Sequence, residues 1–261
     1  MRTFTLFGHG IAYTASPAIQ HAALAELGLP HRYEVADIPP SEFAAAVGRL
    51  RGESGGANVT IPYKKEAALL VDETSEDAEL MRAVNTIVVD GERLIGHNTD
   101  LPAIEDELRG LLPTGASHAV VIGAGGASRA VQTALYRFDA AVTVVQRRDG
   151  SLDRIGEFLT NADLVVNATP LGMKSGEFPF DPGLLRQDLA VFDLIYRPDP
   201  TGLVAAARAA GAEARSGSGM LIGQAWRSLA LWLERDGIAV GPELAAPMAA
   251  ALRRELGGSR V

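Results

Sequence analysis

The chain of 261 residues can hold two compact domains or one large one, and its 47% hydrophobic and 21% charged residues exclude a disordered or collagen-like polymer. With 24 Lys and Arg against 32 Asp and Glu the net charge is −8, which argues against nucleic acid or an anionic membrane surface as a partner. Zero cysteines exclude disulfides, thiolate-bound zinc, iron–sulfur clusters and a thiol nucleophile, and the five histidines (His9, His21, His31, His97 and His118) lack metal-ligand spacing, so no metal is expected.

The opening MRTFTLFGHG has no basic start followed by an apolar run, and no apolar stretch nears about 18 residues. The expectation is a cytoplasmic protein without a targeting or membrane-spanning segment. Thr3 to Phe7 alternates as a strand, and Pro17 to Leu27 has helical apolar spacing with Ser16 as its N-cap. Tyr33 to Ala36 reads as a strand, Glu42 to Leu50 as a helix, and Gly56 to Thr60 as a strand halted by Pro62. Thr86 to Val89 and Arg93 to Ile95 flank the hairpin signal Asp90-Gly91, and Leu101 to Leu111 looks helical. After Pro113-Thr114-Gly115, the apolar run His118 to Ile122 enters a glycine-rich turn and then a helix from Ala127 to Phe138. Ala141 to Val145, Leu164 to Val166 and Ala190 to Leu194 are further buried strands, and Thr201 to Ala210 is a helix ended by Gly211. Met220 to Leu233 and Pro242 to Leu256 are two terminal helices. Strands alternating with helices predict an α/β protein: an N-terminal α/β domain over 1–101, a doubly wound parallel sheet over 102–216, and two helices over 217–261.

Gly123-Ala124-Gly125-Gly126-Ala127-Ser128 stands directly between a strand and a helix. Glycine lets the backbone turn tightly and approach a pyrophosphate, and the unpaired N–H groups of a helix start favour negative charge. A bare G-x-G-G also serves plain packing of strand on helix, but the flanking elements are those a Rossmann-like dinucleotide site requires. An acidic residue at the end of the next strand would accept from a ribose 2′-hydroxyl; here Val145 is followed by Gln146-Arg147-Arg148. Two guanidiniums suit a 2′-phosphate, so NADP is expected, with NAD as the alternative.

Further motifs follow in one order: Thr14-Ala15-Ser16-Pro17, Gly56-Ala57-Asn58-Val59-Thr60-Ile61-Pro62-Tyr63-Lys64, Ala83-Val84-Asn85-Thr86, and Gly96-His97-Asn98-Thr99-Asp100. Beyond the G-A-G-G-A-S-R turn come N-A-T-P-L-G-M from Asn167, Asp193-Leu194-Ile195-Tyr196, and G-M-L-I-G-Q from Gly219 to Gln224. Together these resemble the shikimate dehydrogenase family over essentially the whole chain. The resemblance implies an N-terminal α/β substrate-binding domain over 1–101 with the helices over 217–261 packing back on it, an NADP-binding Rossmann-like domain over 102–216, and NADP-dependent, reversible reduction of 3-dehydroshikimate to shikimate in aromatic amino acid biosynthesis; a monomer or homodimer is expected. It makes Lys64 and Asp100 the proton-transfer pair, puts Thr14 and Ser16 on the substrate carboxylate, and arranges Thr60, Asn85 and Gln224 with Asp100 around the ring hydroxyls, with Tyr196 adding a phenol. It also implies cofactor contacts from Gly123, Ala124, Gly125, Gly126, Ala127, Ser128, Gln146, Arg147 and Arg148, and from Thr169, Met173, Leu194 and Gly217 toward the nicotinamide.

Residue chemistry alone supports the central pair, because oxidising a ring alcohol requires a nicotinamide to take hydride and a protein group to take the hydroxyl proton. A partly desolvated lysine held by a carboxylate can shuttle that proton. The sequence departs from the family at Thr14, where serine is usual, at Leu101, where glycine is usual, and at Gln146-Arg147-Arg148, where N-R-T is usual. Only the 15 residues from Asp149 to Asp163 separate two strands, room for a short helix over Leu152 to Thr160 but not for a helix and a strand. A trimmed sheet edge is therefore expected. Quinate or an aminated shikimate analogue is the alternative substrate, and a non-catalytic dinucleotide sensor the alternative class.

Overall fold

The computed structural model describes residues 1–53, 55–174 and 177–257. Internal contacts divide the chain into two units, Met1–Asp100 together with the chain from Ile222 onward, and Leu101–Leu221. Of the segment expected to pack on the first domain, residues 258–261 lie outside the described residues. Among the described residues no helix is long and apolar enough to cross a membrane.

The first unit holds a six-stranded mixed sheet of order β2-β1-β3-β5-β6-β4, with β1 at Thr3–Gly8, β2 at Arg32–Asp37, β3 at Gly56–Val59, β4 at Glu73–Thr74, β5 at Thr86–Asp90 and β6 at Arg93–His97. β1 runs parallel to β2 and β3, whereas β5 is antiparallel to β3 and β6. The turn between β5 and β6 works because Gly91 has φ 61°, a conformation glycine adopts without Cβ strain. Helices α1 (Ser16–Glu26), α2 (Pro40–Gly48), α3 (Lys64–Leu70) and α4 (Glu76–Met81) belong to the same unit. The core beneath the sheet includes Phe43 stacked on Tyr63 at 4.2 Å.

Two local expectations are corrected. Ser16 is not the N-cap of α1: Ala15 holds that position with no side-chain cap, and Ser16 is the first helical residue. The reason is Thr14, whose Oγ1 accepts the Ser16 N–H at 3.3 Å and donates to Ser16 Oγ at 3.1 Å, doing the capping from one residue further out. The stretch from Lys64 to Met81, for which no element was expected, folds into α3, β4 and α4, each too short for apolar periodicity to register. Its legible signal is Ser75, which caps α4 by accepting the Ala78 N–H ahead of the acidic first turn of Glu76, Asp77 and Glu79.

The second unit is a parallel sheet of order β11-β10-β9-β7-β8, with β7 at His118–Ile122, β8 at Ala141–Val145, β9 at Leu164–Asn167, β10 at Ala190–Asp193 and β11 at Ala214–Ser216. Continuous apolar runs suit strands covered on both faces, and helices α5 (Asp100–Leu111), α6 (Gly126–Tyr136), α7 (Ile155–Leu159) and α8 (Gly202–Ala209) alternate with them. The trimmed edge is observed. No strand forms between β8 and β9, residues 147–159 hold only short 3₁₀ turns and α7, and β8 is left as the edge with Val142, Thr143 and Val144 half-buried. The chain ends with α9 (Ser218–Leu233) and α10 (Ala245–Gly257). Within the first unit α10 packs on α1, and Trp232 of α9 stacks on Phe4 at 4.5 Å while donating to the Ile87 carbonyl at 2.9 Å.

Candidate active site

Strand register gathers the expected substrate residues of the first unit. Phe7 pairs with Val59, Asn58 with Thr86, and Thr86 with His97, so the exits of β1, β3 and β6 and the entry of β5 share one end of the sheet. Thr14 and Ser16 follow β1, Thr60 and Lys64 follow β3, Asn85 precedes β5, and Asp100 follows β6. Lys64 Nζ lies 2.7 Å from Asp100 Oδ2, with side chains 31% and 13% exposed. Asp100 opens α5, where a carboxylate meets the favourable end of the helix dipole; Lys64 opens α3, where a cation does not, and its ion pair offsets that placement. The Asp100 N–H donates to Asn98 Oδ1 at 3.1 Å, and Asn98 Nδ2 donates to the Ala83 carbonyl at 2.9 Å, fixing the backbone that carries the carboxylate.

Beneath this pair runs a buried polar network. Tyr33 donates to Asn58 Oδ1 at 2.8 Å and lies within hydrogen-bonding reach of the Ser16 side chain; burial pushes the phenol pKa far up and keeps it a neutral donor. Asn58 Nδ2 shares its hydrogens among the Asn85 carbonyl, Thr86 Oγ1 and Ser228 Oγ at 2.9 to 3.1 Å. Asn85 is buried, with Oδ1 accepting the Thr99 N–H at 2.8 Å and Nδ2 donating to Thr99 Oγ1 at 3.0 Å, which leaves one amide hydrogen uncommitted. Ser228 also contacts the Gln224 carbonyl at 3.0 Å, so α9 is tied to the network one turn from Gln224. The Thr60 hydroxyl is half-buried, with no hydrogen-bond partner among the described residues. Tyr33 and Ser228 were not singled out from the sequence, and Asn58, Thr86 and Thr99 appeared only as motif letters.

The remaining predicted residues lie in the second unit, all at the carboxyl ends of its parallel strands. Ile122 pairs with Val145 and Asn167, and Asp193 with Asn167 and Ser216, so the turns carrying Gly123 to Ser128, Gln146 to Arg148, Thr169 and Met173, Leu194 and Tyr196, and Gly217 form one edge. The chain reverses direction across the sheet between β7 and β9, the place where open α/β sheets bind ligands. Gly123 has φ 107°, and Cβ atoms at Gly125 or Gly126 would meet nothing within 4 Å, so open space lies before the first N–H groups of α6. A dinucleotide phosphate fits this turn. Ser128 offers only its backbone: its buried hydroxyl donates to the Gly123 carbonyl at 2.6 Å and accepts from Gln132 at 2.9 Å. Arg147 and Arg148 are exposed with no side-chain partner among the described residues, whereas Gln146 donates to Asp149 at 2.8 Å. The Ser151 hydroxyl and N–H, with Gln146, hold the Asp149 carboxyl below the usual carboxylate range.

Residues 6–87 match the family model of the shikimate dehydrogenase substrate binding domain. The shikimate dehydrogenase (NADP(+)) of Rubrobacter xylanophilus is 37% identical, covering 97% of this chain and 94% of that protein. Among solved structures, shikimate 5-dehydrogenase from Thermus thermophilus in complex with NADP(H) and shikimate is similar at TM-score 0.85 and 33% identity, over 98% of this chain and 100% of that one. Quinate dehydrogenase from Corynebacterium glutamicum in complex with NAD is similar at TM-score 0.81 and 30% identity, over 96% and 98%.

Proposed function

The chain belongs to the shikimate dehydrogenase family, and on that premise we propose how its residues divide the work. It is an NADP-dependent oxidoreductase of CH–OH groups that reversibly reduces 3-dehydroshikimate to shikimate. The observation that carries the reading is the 2.7 Å contact between Lys64 Nζ and Asp100 Oδ2. Bound NADP supplies the hydride acceptor, or as NADPH the donor, at the ring carbon. In the reducing direction Lys64 gives a proton to the carbonyl oxygen as it becomes a hydroxyl, and in the oxidising direction it takes that proton back. Asp100 keeps the ammonium in place and accepts from a substrate hydroxyl.

Thr14 and Ser16 donate to the substrate carboxylate, and Thr60, Asn85, Gln224 and Tyr196 bind ring hydroxyls. A substrate lacking one of those hydroxyls would leave a buried partner unpaired, at about 1 to 3 kcal/mol each. The α6 N-terminus from Gly123 to Ser128 holds the pyrophosphate, Gln146, Arg147 and Arg148 the adenosine 2′-phosphate, and Thr169, Met173, Leu194 and Gly217 the nicotinamide side. The absence of cysteine among 261 residues supports a reducing, cytoplasmic setting.

The test is steady-state turnover of shikimate and quinate with NADP and NAD in all four pairings. NADP with shikimate is expected to give the highest kcat/KM. Preference for quinate or NAD would support the second reading, which the extra methyl of Thr14 and the likeness to a quinate dehydrogenase favour. No turnover in any pairing would overturn the catalytic assignment.

A further inference from the structure

Asp193 ends β10 with its carboxylate wholly buried and no cation paired with it among the described residues. Three donors converge on it: Asn167 Nδ2 at 3.0 Å and the Ile195 N–H at 3.2 Å on Oδ1, and Thr201 Oγ1 at 2.7 Å on Oδ2. Asn167 ends β9, whereas Ile195 and Thr201 lie at the two ends of the connection from β10 to α8. Asn167 Oδ1 accepts the Thr169 N–H and hydroxyl at 3.1 and 2.7 Å, and its Nδ2 also donates to the Leu171 carbonyl, so Asn167 shapes the turn after β9. Ile195 lies in the turn after β10, and its carbonyl accepts the Gly217 N–H at 3.0 Å. Only glycine fits at 217, since a Cβ there would stand 2.1 Å from the Leu194 carbonyl oxygen. Thr201 caps α8 by accepting the Val204 N–H at 3.2 Å, which aims its own proton at Asp193.

We propose that Asp193 is a positioning residue for the nicotinamide half of the cofactor: by accepting from Asn167, Ile195 and Thr201 together, it sets the turns after β9 and β10 and the chain at Gly217 against one another without touching the cofactor. The inference rests on the NADP reading above. A carboxylate suits the post because it accepts from all three donors and donates to none. Burial disfavours its charge, so the site retains an ionisable group against that penalty, and the three bonds account for it.

The experiment compares equilibrium dissociation constants of the full chain for NADPH and for 2′-phosphoadenosine 5′-diphosphoribose, which lacks the nicotinamide, at a temperature where circular dichroism finds every variant folded. Asp193→Ala is expected to weaken NADPH about tenfold and the half-cofactor by less than about twofold, because the orphaned donors sit only on the nicotinamide side. Asp193→Asn keeps the shape and the Oδ1 acceptor and is expected to restore NADPH affinity to within about threefold of wild type. Thr201→Val removes one donor of three, and should shift NADPH alone in the same direction if Asp193→Ala does not fold. Equal weakening of both ligands would overturn the proposal in favour of a merely structural role, and so would unchanged NADPH affinity in Asp193→Ala. Failure of wild type to bind either ligand would instead overturn the NADP reading, and this inference with it.

Discussion

The end of the first sheet and the carboxyl edge of the second are both made of turns after strands, yet they present opposite surfaces to a ligand. Around Lys64 and Asp100 the proposed recognition groups are side chains, held from below by Tyr33, Asn58, Thr99 and Ser228 in a buried network. At the glycine turn they are backbone N–H groups in open space, joined by two exposed guanidiniums with no partner among the described residues. The first arrangement suits a small polyol, which is told from its analogues by the count and placement of hydroxyls. The second suits phosphates, which any correctly aimed donor satisfies. Substitutions should therefore act differently in the two regions: through fixed geometry in the first, through charge and access in the second.

The largest effect is expected at the proposed proton-transfer pair. Lys64→Met should lower kcat for shikimate oxidation by roughly 10² to 10⁴-fold, the range for loss of a positioned acid–base group, while the melting temperature moves little because the lysine is about a third exposed. A loss confined to KM would mean that Lys64 only binds. Next is the network beneath. Asn58→Ala takes the Oδ1 acceptor from the buried Tyr33 hydroxyl and one of several partners from the Asn85 carbonyl and Ser228, which keep the Val59 N–H and the Gln224 carbonyl, and should cost about 1 to 3 kcal/mol in urea unfolding. The KM for shikimate should rise with it while the KM for NADP holds, and a rise in both would erase the distinction between the regions.

That network is also where sequence reading fell short. The strands of the second unit were legible because apolar runs such as Ala119 to Ile122 have no reading but burial, and the trimmed edge followed from counting 15 residues. Lys64, Asp100 and the glycine turn were legible through their motifs. Asn58 and Ser228 meet at 2.9 Å although 170 positions apart, and a serine on an apolar helix face gives no local sign of what it will touch. Asp193 was likewise only the first letter of a motif, since its donors come from the end of β9 and from both ends of the connection between β10 and α8. Thr14 took the capping role expected of Ser16, a choice between adjacent hydroxyls that spacing alone does not settle.

In the second region the effects are smaller and electrostatic. Replacing both Arg147 and Arg148 with alanine should lower the ratio of kcat/KM for NADP over NAD roughly tenfold, the scale of one or two partly solvated charge-assisted hydrogen bonds, with the KM for shikimate unchanged. An equal fall with both cofactors would place the guanidiniums on the shared pyrophosphate instead.

The smallest effect runs the other way. Asp149 stands beside the two arginines, and because Ser151 and Gln146 hold its pKa below the unfolded value of about 3.9, it is a fixed negative charge throughout the neutral range. Whatever stability it lends is complete above that value and disappears only as pH falls through the lower folded pKa. At neutral pH its charge opposes a 2′-phosphate, so Asp149→Asn should tighten NADP by about two- to threefold at low salt and less at high salt, since exposed charges are screened. NAD, which lacks the phosphate, should respond less. If the variant weakens both cofactors equally at every salt concentration, Asp149 acts by shaping the turn through Ser151, and the contrast between a region governed by geometry and one governed by charge would stop at Arg148.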